Sequence, residues 1–233
     1  MGGGQQQPKK MRVASGQRSS DSSKKSETEA SSGRRERRAA ETRLKLFRCA
    51  LALIAEHGLS SVTVEDITEA ADVGKGTFFN YFETKDHVLG VMSEIQIGKI
   101  REAASKAAHG KQSIHAVLHE LAQRLAEEPG RSPSLARALI ASFLGNQGIR
   151  EILKRTMLEG RKSVGEIVAA GQEHGEINPN LKKEKVSMQF LQSIMGTVLI
   201  WSLNETPTLN AWIEDSFQHF WRSVSISGGE QEP

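Results

Sequence analysis

The stretch VGKGTFFNYFETK, residues 73–85, contains the side chains whose types and spacing could do chemistry. Its Gly-Lys-Gly-Thr segment looks like part of a loop that binds phosphate through backbone N–H groups. A Walker loop needs a glycine five residues before its Gly-Lys pair and a serine or threonine directly after it, but Glu69 and Gly76 occupy these positions. A dinucleotide fingerprint would need glycine in place of Phe79, and also a preceding strand, which the pattern does not predict. Nucleotide binding at this stretch is therefore disfavoured.

Catalytic and metal chemistry are also weakly supported. The sequence contains no set of acid, base and nucleophile groups with a recognisable catalytic spacing, so we do not expect an enzyme. His115 and His119 are four residues apart on a predicted helix, which is a spacing that can bind a metal. No third ligand follows at a suitable spacing, and we predict neither a metal site nor a cofactor.

The segment from Thr63 to Phe82 has the pattern of two short helices joined by a tight turn. Thr63 is an N-cap residue, and Asp66 follows it at the spacing of a capping box. Asp72 can adopt the left-handed conformation that the turn needs, although glycine does so at lower cost. Phe78 and Phe82 are four residues apart and share one helix face, so we expect them in the core.

The opposite face of the second short helix carries side chains that can read DNA. Lysine can bind phosphate or guanine, asparagine can pair with adenine, and threonine or an aromatic ring can contact a thymine methyl group. Two such helices form a helix-turn-helix unit, whose second helix enters the major groove. The residues predicted for this face are Lys75, Gly76, Thr77, Phe79, Asn80 and Tyr81.

Composition supports a soluble helical protein but says little about its partner. The 233 residues are 37% hydrophobic and 25% charged, and the single Cys49 excludes an internal disulfide framework and fits a reducing cytoplasm. Residues 1–40 hold ten of the 31 Lys and Arg residues and four of the 28 Asp and Glu residues, so the basic character belongs to the N-terminal tail. The longest apolar stretch, around Met195 to Leu203, is too short for a membrane span.

Apolar residues recur with helical spacing along most of the chain. Residues 1–35 have too few large apolar side chains to offset the entropy of ordering, and we predict a disordered basic tail there and a flexible C-terminus at 227–233. No strand pattern of useful length appears. The sequence predicts about nine helices: 36–57, 64–71, 74–82, 84–108, 112–127, 133–144, 147–174, 183–204 and 208–225.

The segment TVEDITEAADVGKGTFFNYFETKDHVL, with ALALIAEHGLSSVT before it, resembles the DNA-binding domain of the TetR/AcrR (tetracycline-repressor) family of bacterial transcriptional regulators. The resemblance covers about residues 36–95 and implies an all-α fold. It places a three-helix DNA-binding domain at 36–95, with its helix-turn-helix at 63–82, before a helical ligand-binding and dimerisation domain at 96–226. Two residues depart from the family's pattern, namely Asp72 at the usual glycine of the turn and Phe79 at a common tyrosine.

The resemblance also implies roles for single residues. Thr63 would bind a DNA phosphate, Tyr81 and Lys85 would contact the DNA backbone, and the remaining side chains of the reading face would meet base edges. A ligand pocket is implied in the C-terminal domain, with Phe143, Met157, Met195 and Trp201 as candidate lining residues.

The last two predicted helices are apolar over more than one stripe, so a surplus face must be buried against something. We expect a second copy there, and the family's four-helix dimer interface agrees. The predicted interface residues are Phe190, Ile194, Val198, Trp212, Phe217, Phe220 and Trp221.

Together these features predict a cytoplasmic bacterial regulator that binds double-stranded operator DNA in a sequence-specific manner. Its expected form is a homodimeric repressor on a pseudo-palindromic operator, released by a small-molecule inducer and without a membrane partner. The alternatives are a helical protein-interaction module or, less favoured, a metal- or nucleotide-dependent enzyme.

Overall fold

The computed structural model describes residues 1–3, 19–204 and 208–226, and side chains from residue 33 onward within the first helix. The chain divides into two units, residues 1–43 and 44–233, and every side-chain contact discussed below lies in the second. Residues 4–18 of the predicted tail and the predicted flexible C-terminus, 227–233, lie outside the described residues.

The all-helical prediction is confirmed for the described residues, which form nine α-helices, two 3-10 turns and one isolated bridge between Ile177 and Ser225. The helices are α1 (Ser19–His57), α2 (Val64–Ala70), α3 (Lys75–Phe79), α4 (Val88–Ala108), α5 (Ile114–Ala126), α6 (Pro133–Gly145), α7 (Gln147–Glu173), α8 (Lys183–Asn204) and α9 (Leu209–Val224). The 3-10 turns, Lys85–His87 and Pro129–Arg131, precede α4 and α6.

Two of these helices differ from their predicted extent. Helix α1 begins at Ser19 and not near Glu36. Helix α3 ends at Phe79, although the pattern predicted helix to about Phe82.

A first core cluster packs the C-terminal half of α1 against α2, α3 and the start of α4. It buries Leu46, Phe47, Ala50, Leu51, Ile54, Val62, Ile67, Ala71, Phe78, Phe82, Val88 and Leu89. The cluster continues to Leu135 and Leu139 of α6 and to Ile149 of α7. The helix-turn-helix region therefore shares one continuous core with two helices of the C-terminal part.

A second core cluster joins α4, α5, α7, α8 and α9. Gly160 of α7 lets α4 approach closely, since a Cβ atom there would lie 3.0 Å from Ile100 Cδ1. In the described part of the chain, α8 is the one helix long and apolar enough to cross a bilayer. One side of α8 nevertheless packs into this core through Phe190, Ile194 and Val198, as a core helix of a globular protein does.

Candidate DNA-binding interface and effector cavity

The predicted capping box at the start of α2 is confirmed. Thr63 Oγ1 accepts a hydrogen bond from Asp66 N at 3.1 Å, and Thr63 N donates to Asp66 Oδ2 at 2.8 Å. Hydrogen bonds from the Thr63 backbone N–H and, second, from its side chain lower the pKa of the Asp66 carboxyl group.

The turn between α2 and α3 has the predicted left-handed residue. Asp72 has a φ of 51°, and it is the only non-glycine residue with positive φ in the described part of the chain. Its N–H donates to Glu69 O at 3.0 Å, and the next N–H, of Val73, donates to Thr68 O at 3.0 Å. The Asp72 side chain is exposed beside the start of α3.

The aromatic residues of α3 and the turn after it divide as predicted. Phe78 and Phe82 are 0% and 3% exposed, and their ring centroids lie 5.2 Å apart. Phe79 is 50% exposed and meets Phe78 edge-to-face at 5.5 Å. The rest of the predicted reading face is exposed at Lys75, Gly76 and Asn80, and half-buried at Thr77 and Tyr81. One side of α3 therefore anchors it, and the other side is available to a groove.

A contact between α2 and α3 was not foreseen from the sequence. The ammonium group of Lys75 forms an ion pair with the carboxylate of Glu65, and this bond lowers the pKa of Glu65. Both side chains are more than half exposed. A DNA phosphate or guanine must therefore compete with Glu65 for the lysine. The two residues are ten positions apart, so only the packing of the two helices reveals the pair.

Lys85 makes a different contact from the predicted one. Its Nζ donates to Leu59 O and Val62 O, both at 2.9 Å, and to Ser60 O at 3.4 Å. An ammonium group has three N–H donors, and these carbonyl groups occupy all of them. The half-buried Lys85 thus fixes the loop that leads into Thr63, which is a positioning role, whereas the sequence predicted a contact with the DNA backbone.

The turn that leads into α4 is tied to the start of α7. Asn146 Nδ2 donates to Asp86 Oδ2 at 2.6 Å. Asn146 also caps α7, because its Oδ1 accepts from Ile149 N at 3.1 Å. This link, which the sequence did not suggest, connects the helix-turn-helix region to the C-terminal helices through two side chains.

A cavity of about 160 Å³ lies between α4, α6, α7 and α8. Phe143, Met157 and Met195, three of the four residues predicted for a ligand pocket, line it. Trp201 does not line it, and its buried side chain packs in the second core cluster. The lining is apolar except at three places: Ser93 and Gln96 of α4, and Thr156 of α7, whose hydroxyl donates to Ile152 O at 2.8 Å.

The polar corner of this cavity is built on α4. Gln96 Nε2 donates to Leu125 O and to Glu128 Oε2, each at 3.2 Å. One turn further along, the buried Lys99 donates to Glu128 Oε2 at 2.7 Å and to Glu127 Oε2 at 2.8 Å. Two side chains of α4 thereby hold the end of α5 and the residues that follow it.

Five of the seven residues predicted for the dimer interface lie in the core of the single chain. Phe190, Ile194, Val198, Phe217 and Phe220 are each 8% exposed or less, so they fill the chain's own core and offer little surface to a second copy. Trp212 and Trp221 are half-buried and pack against the same core.

The apolar surface that remains lies on the other side of α8. Its members are between 39% and 64% exposed, and they are Met188, Met195, Leu199, Ile200 and Leu203. Helical spacing shows that α8 is apolar on two sides, but it does not tell which side the chain itself buries.

The two histidines at helical spacing belong to an aromatic cluster between α5 and α9. The rings of His115 and His119 stack with centroids 6.1 Å apart, and His119 Nε2 lies 2.5 Å from Glu214 Oε2. His115 meets Phe217 and Trp221 edge-on. Across the described ranges, no group of three or more His, Cys, Asp or Glu side chains is arranged to bind a metal ion.

Comparison with known proteins agrees with this geometry. Residues 46–92 match the family profile of bacterial regulatory proteins, tetR family. The chain is 26% identical over 174 residues to the probable acrEF/envCD operon repressor of Escherichia coli K12, covering 71% of this chain and 78% of that protein. It is also 26% identical over 169 residues to the fatty acid metabolism regulator protein of Bacillus subtilis 168, covering 70% of this chain and 84% of that one.

The same fold occurs in a solved structure. The crystal structure of FadR from Bacillus subtilis in complex with stearoyl-CoA superposes with a TM-score of 0.63 at 20% identity, covering 79% of this chain and 98% of that one. The matched residues, 46–92, include the capping box, the left-handed turn and the exposed face of α3. The DNA-binding region at residues 46–92 is therefore of the tetR family, and the chain is a DNA-binding transcriptional regulator.

Proposed function

We propose that the protein is a homodimeric repressor that leaves its operator when a molecule with a long aliphatic chain occupies the cavity between α4, α6, α7 and α8. One observation carries this proposal: helix α4, which follows the DNA-binding region in the chain, also forms one wall of the cavity. Met92, Ser93, Gln96 and Ile100 of α4 all line the cavity, and α4 begins directly after the turn that contains Lys85.

The chemistry of the lining supports an aliphatic effector. Nearly all of the lining side chains are apolar, and burial of each methylene group of a ligand is worth about 0.8 kcal/mol. The names of two similar proteins, a fatty acid metabolism regulator and a FadR bound to stearoyl-CoA, support a fatty acyl chain as the class.

The size of the cavity supports a role in signalling. At about 160 Å³ it is close to an engineered cavity of about 150 Å³ that accepts one benzene molecule. A long chain therefore needs more room than the present cavity offers. Met157 and Met195 can yield because methionine is flexible, but the rest of the volume must come from a shift of α4 against α7. Such a shift changes the spacing of the two α3 helices in a dimer, and a coupling of about 1–3 kcal/mol is the usual scale.

The exposed apolar side of α8 supports the dimer. Met188, Met195, Leu199 and Leu203 lie at helical spacing on one face and are each at least 39% exposed. A second copy related by twofold symmetry would cover this face with the same face of its own α8. Two copies would then present two α3 helices about 34 Å apart, one helical turn of DNA. A repressor of this kind acts on chromosomal DNA in the bacterial cytoplasm.

A cavity-filling variant tests the proposed effector site. Ala136 lines the cavity and is 1% exposed, so Ala136→Leu occupies space that the effector needs. We expect the variant to bind operator DNA like the unmodified protein and to require at least about tenfold more long-chain acyl-CoA for release, since about two methylene groups of the ligand lose their place. Ala52→Leu, at an exposed position of α1, is the matched control. Release of Ala136→Leu at the unchanged acyl-CoA concentration would contradict the proposed site.

A further inference from the structure

The amide group of Gln96 has a fixed orientation at the cavity wall. Its nitrogen is identified by its partners, because Leu125 O and Glu128 Oε2, each 3.2 Å away, can only accept hydrogen bonds. The Gln96 Oε1 atom therefore lies on the other side of the Cγ–Cδ bond from Nε2.

This oxygen lacks a donor. Gln96 Oε1 is buried, and no group in the described part of the chain donates a hydrogen bond to it. Buried side-chain acceptors are nearly always paired, and one that is not calls for an explanation. Gln96 lines a cavity that is otherwise almost wholly apolar, so a bound molecule is well placed to supply the missing donor.

The charges beside Gln96 restrict what that molecule can carry. The ammonium group of Lys99 pairs with both Glu127 and Glu128, so these two carboxylates and the lysine are already engaged with each other. The Glu128 side chain, which also holds the Gln96 amide, is 13% exposed. A ligand carboxylate has no hydrogen to donate to Gln96 Oε1, and neither has an ether or ester oxygen.

We propose that the effector carries a neutral hydrogen-bond donor, an O–H or N–H group, which Gln96 Oε1 accepts, on an otherwise aliphatic skeleton. The proposal rests on the proposed function, since it takes the cavity to be the effector site. The donor has two possible sources, a hydroxyl group on the aliphatic chain or an amide N–H of a group joined to it.

Matched ten-carbon compounds test the donor on the full-length protein. 1-Decanol and decanamide carry a donor, decyl methyl ether and N,N-dimethyldecanamide carry none, and decanoate carries a charge. Binding is read from thermal stabilisation and operator release from fluorescence anisotropy. We expect each donor compound to act at concentrations at least about tenfold lower than its methylated partner, the factor for one buried hydrogen bond, and decanoate to act more weakly than decanol. The pair with the larger preference identifies the source of the donor, a hydroxyl group or an amide N–H group.

Substitution of the glutamine tests the assignment. Gln96→Met keeps the length of the side chain but removes the acceptor, so decanol and its ether should then act within about twofold of each other. Gln123→Met is the matched control, since Gln123 donates to Glu214 at 3.4 Å and does not line the cavity, and it should keep the preference. Thr156→Val removes the polar side chain that α7 contributes to the cavity, and this variant should also keep the preference for decanol over its ether.

The outcomes separate this inference from the proposed function. If none of the compounds binds, the aliphatic effector site itself is wrong. If all of them bind and act equally well, or if Thr156→Val and not Gln96→Met abolishes the preference, the effector site stands and the role of Gln96 is overturned. Because the comparison of ligands is made on the unmodified protein, a folding defect in Gln96→Met does not remove the test.

Discussion

Substitution of Asp72 separates two physical effects at the turn of the helix-turn-helix. Asp72 has a φ of 51° and an exposed carboxylate beside the start of α3. Asp72→Gly removes both the strain of the left-handed backbone and the negative charge. Asp72→Asn removes the charge but keeps a side chain that must still adopt the left-handed conformation.

The expected changes follow from the geometry. A left-handed conformation costs an ordinary residue about 1–2 kcal/mol. Glycine avoids this cost, but it destabilises the fold by about 0.5–1 kcal/mol because its unfolded chain has more conformational entropy to lose. Asp72→Gly should therefore stabilise the protein by about 0.5–1 kcal/mol, or by about 1–4 °C in Tm for a chain of this size. Removal of one anion about 10 Å from several phosphates is worth about 0.4 kcal/mol per phosphate before screening by salt, which gives roughly a twofold to fivefold gain in DNA affinity per protomer.

Thermal unfolding followed by circular dichroism measures the first effect, and fluorescence anisotropy of labelled operator DNA measures the second. Both variants should bind DNA more tightly, and to a similar extent, while the rise in Tm should be larger for Asp72→Gly than for Asp72→Asn. Equal Tm values for the two variants would refute the strain argument. Unchanged DNA affinity in both would show that Asp72 does not face the phosphates.

Three further changes test separate contacts. Lys85→Met removes three charge-assisted hydrogen bonds to carbonyl groups and should lower the free energy of unfolding, measured in urea, by about 2–3 kcal/mol. The guanidinium group of Arg124 lowers the pKa of Glu102 to about 2, so this carboxylate stabilises the fold fully above its unfolded pKa and loses its effect as the pH falls towards 2. The stability difference between the unmodified protein and Glu102→Gln should therefore be constant from neutral pH to about pH 5 and vanish near pH 2. Leu199→Glu, in the exposed apolar face of α8, should shift the protein to a monomer in light scattering, while Leu144→Glu, at another exposed leucine, should not.

Each of these changes also has an outcome that contradicts it. Unchanged stability of Lys85→Met, together with weaker DNA binding, would return Lys85 to the phosphate contact that the sequence predicted. If the stability difference between the unmodified protein and Glu102→Gln persists at pH 2, it does not arise from the hydrogen bonds between the Glu102 carboxylate and Arg124. A Leu199→Glu protein that keeps the oligomeric state of the unmodified protein would place the interface elsewhere.

The helix-turn-helix was predictable because its determinants are local. The capping box spans four residues, from Thr63 to Asp66, the left-handed turn needs a single tolerant residue at Asp72, and spacing alone places Phe78 inward and Phe79 outward. These features depend on neighbours within a few positions, and the structure has all of them.

The contacts that sequence reasoning missed join distant parts of the chain. Lys85 reaches carbonyl groups more than twenty residues earlier, and Asp86 meets Asn146 sixty residues later. A basic residue beside a DNA-binding helix suggests a phosphate contact unless the path of the preceding loop is known. Long-range partners of this kind follow from packing, which a periodic pattern does not specify.

Helix α8 shows a second limit of prediction from the sequence. Phe190 and Leu199 both fit an apolar stripe, yet one is 1% exposed and the other 39%. The pattern showed that a surplus apolar face exists, but the choice of face depends on where α7 and α9 pack. The residues of α8 that were predicted for the interface therefore lie on the side that packs against the chain's own helices.

The most direct test of the central claim is one ratio, the affinity for operator DNA divided by the affinity for unrelated DNA of equal length. It is measured at fixed salt on DNA flanking the protein's own gene, with and without a long-chain acyl-CoA. Without the acyl-CoA we expect a ratio of at least about 10³, and with it a fall towards the value for non-specific binding. A ratio near one would contradict sequence reading by α3, and a high ratio that the acyl-CoA leaves unchanged would contradict control through the cavity.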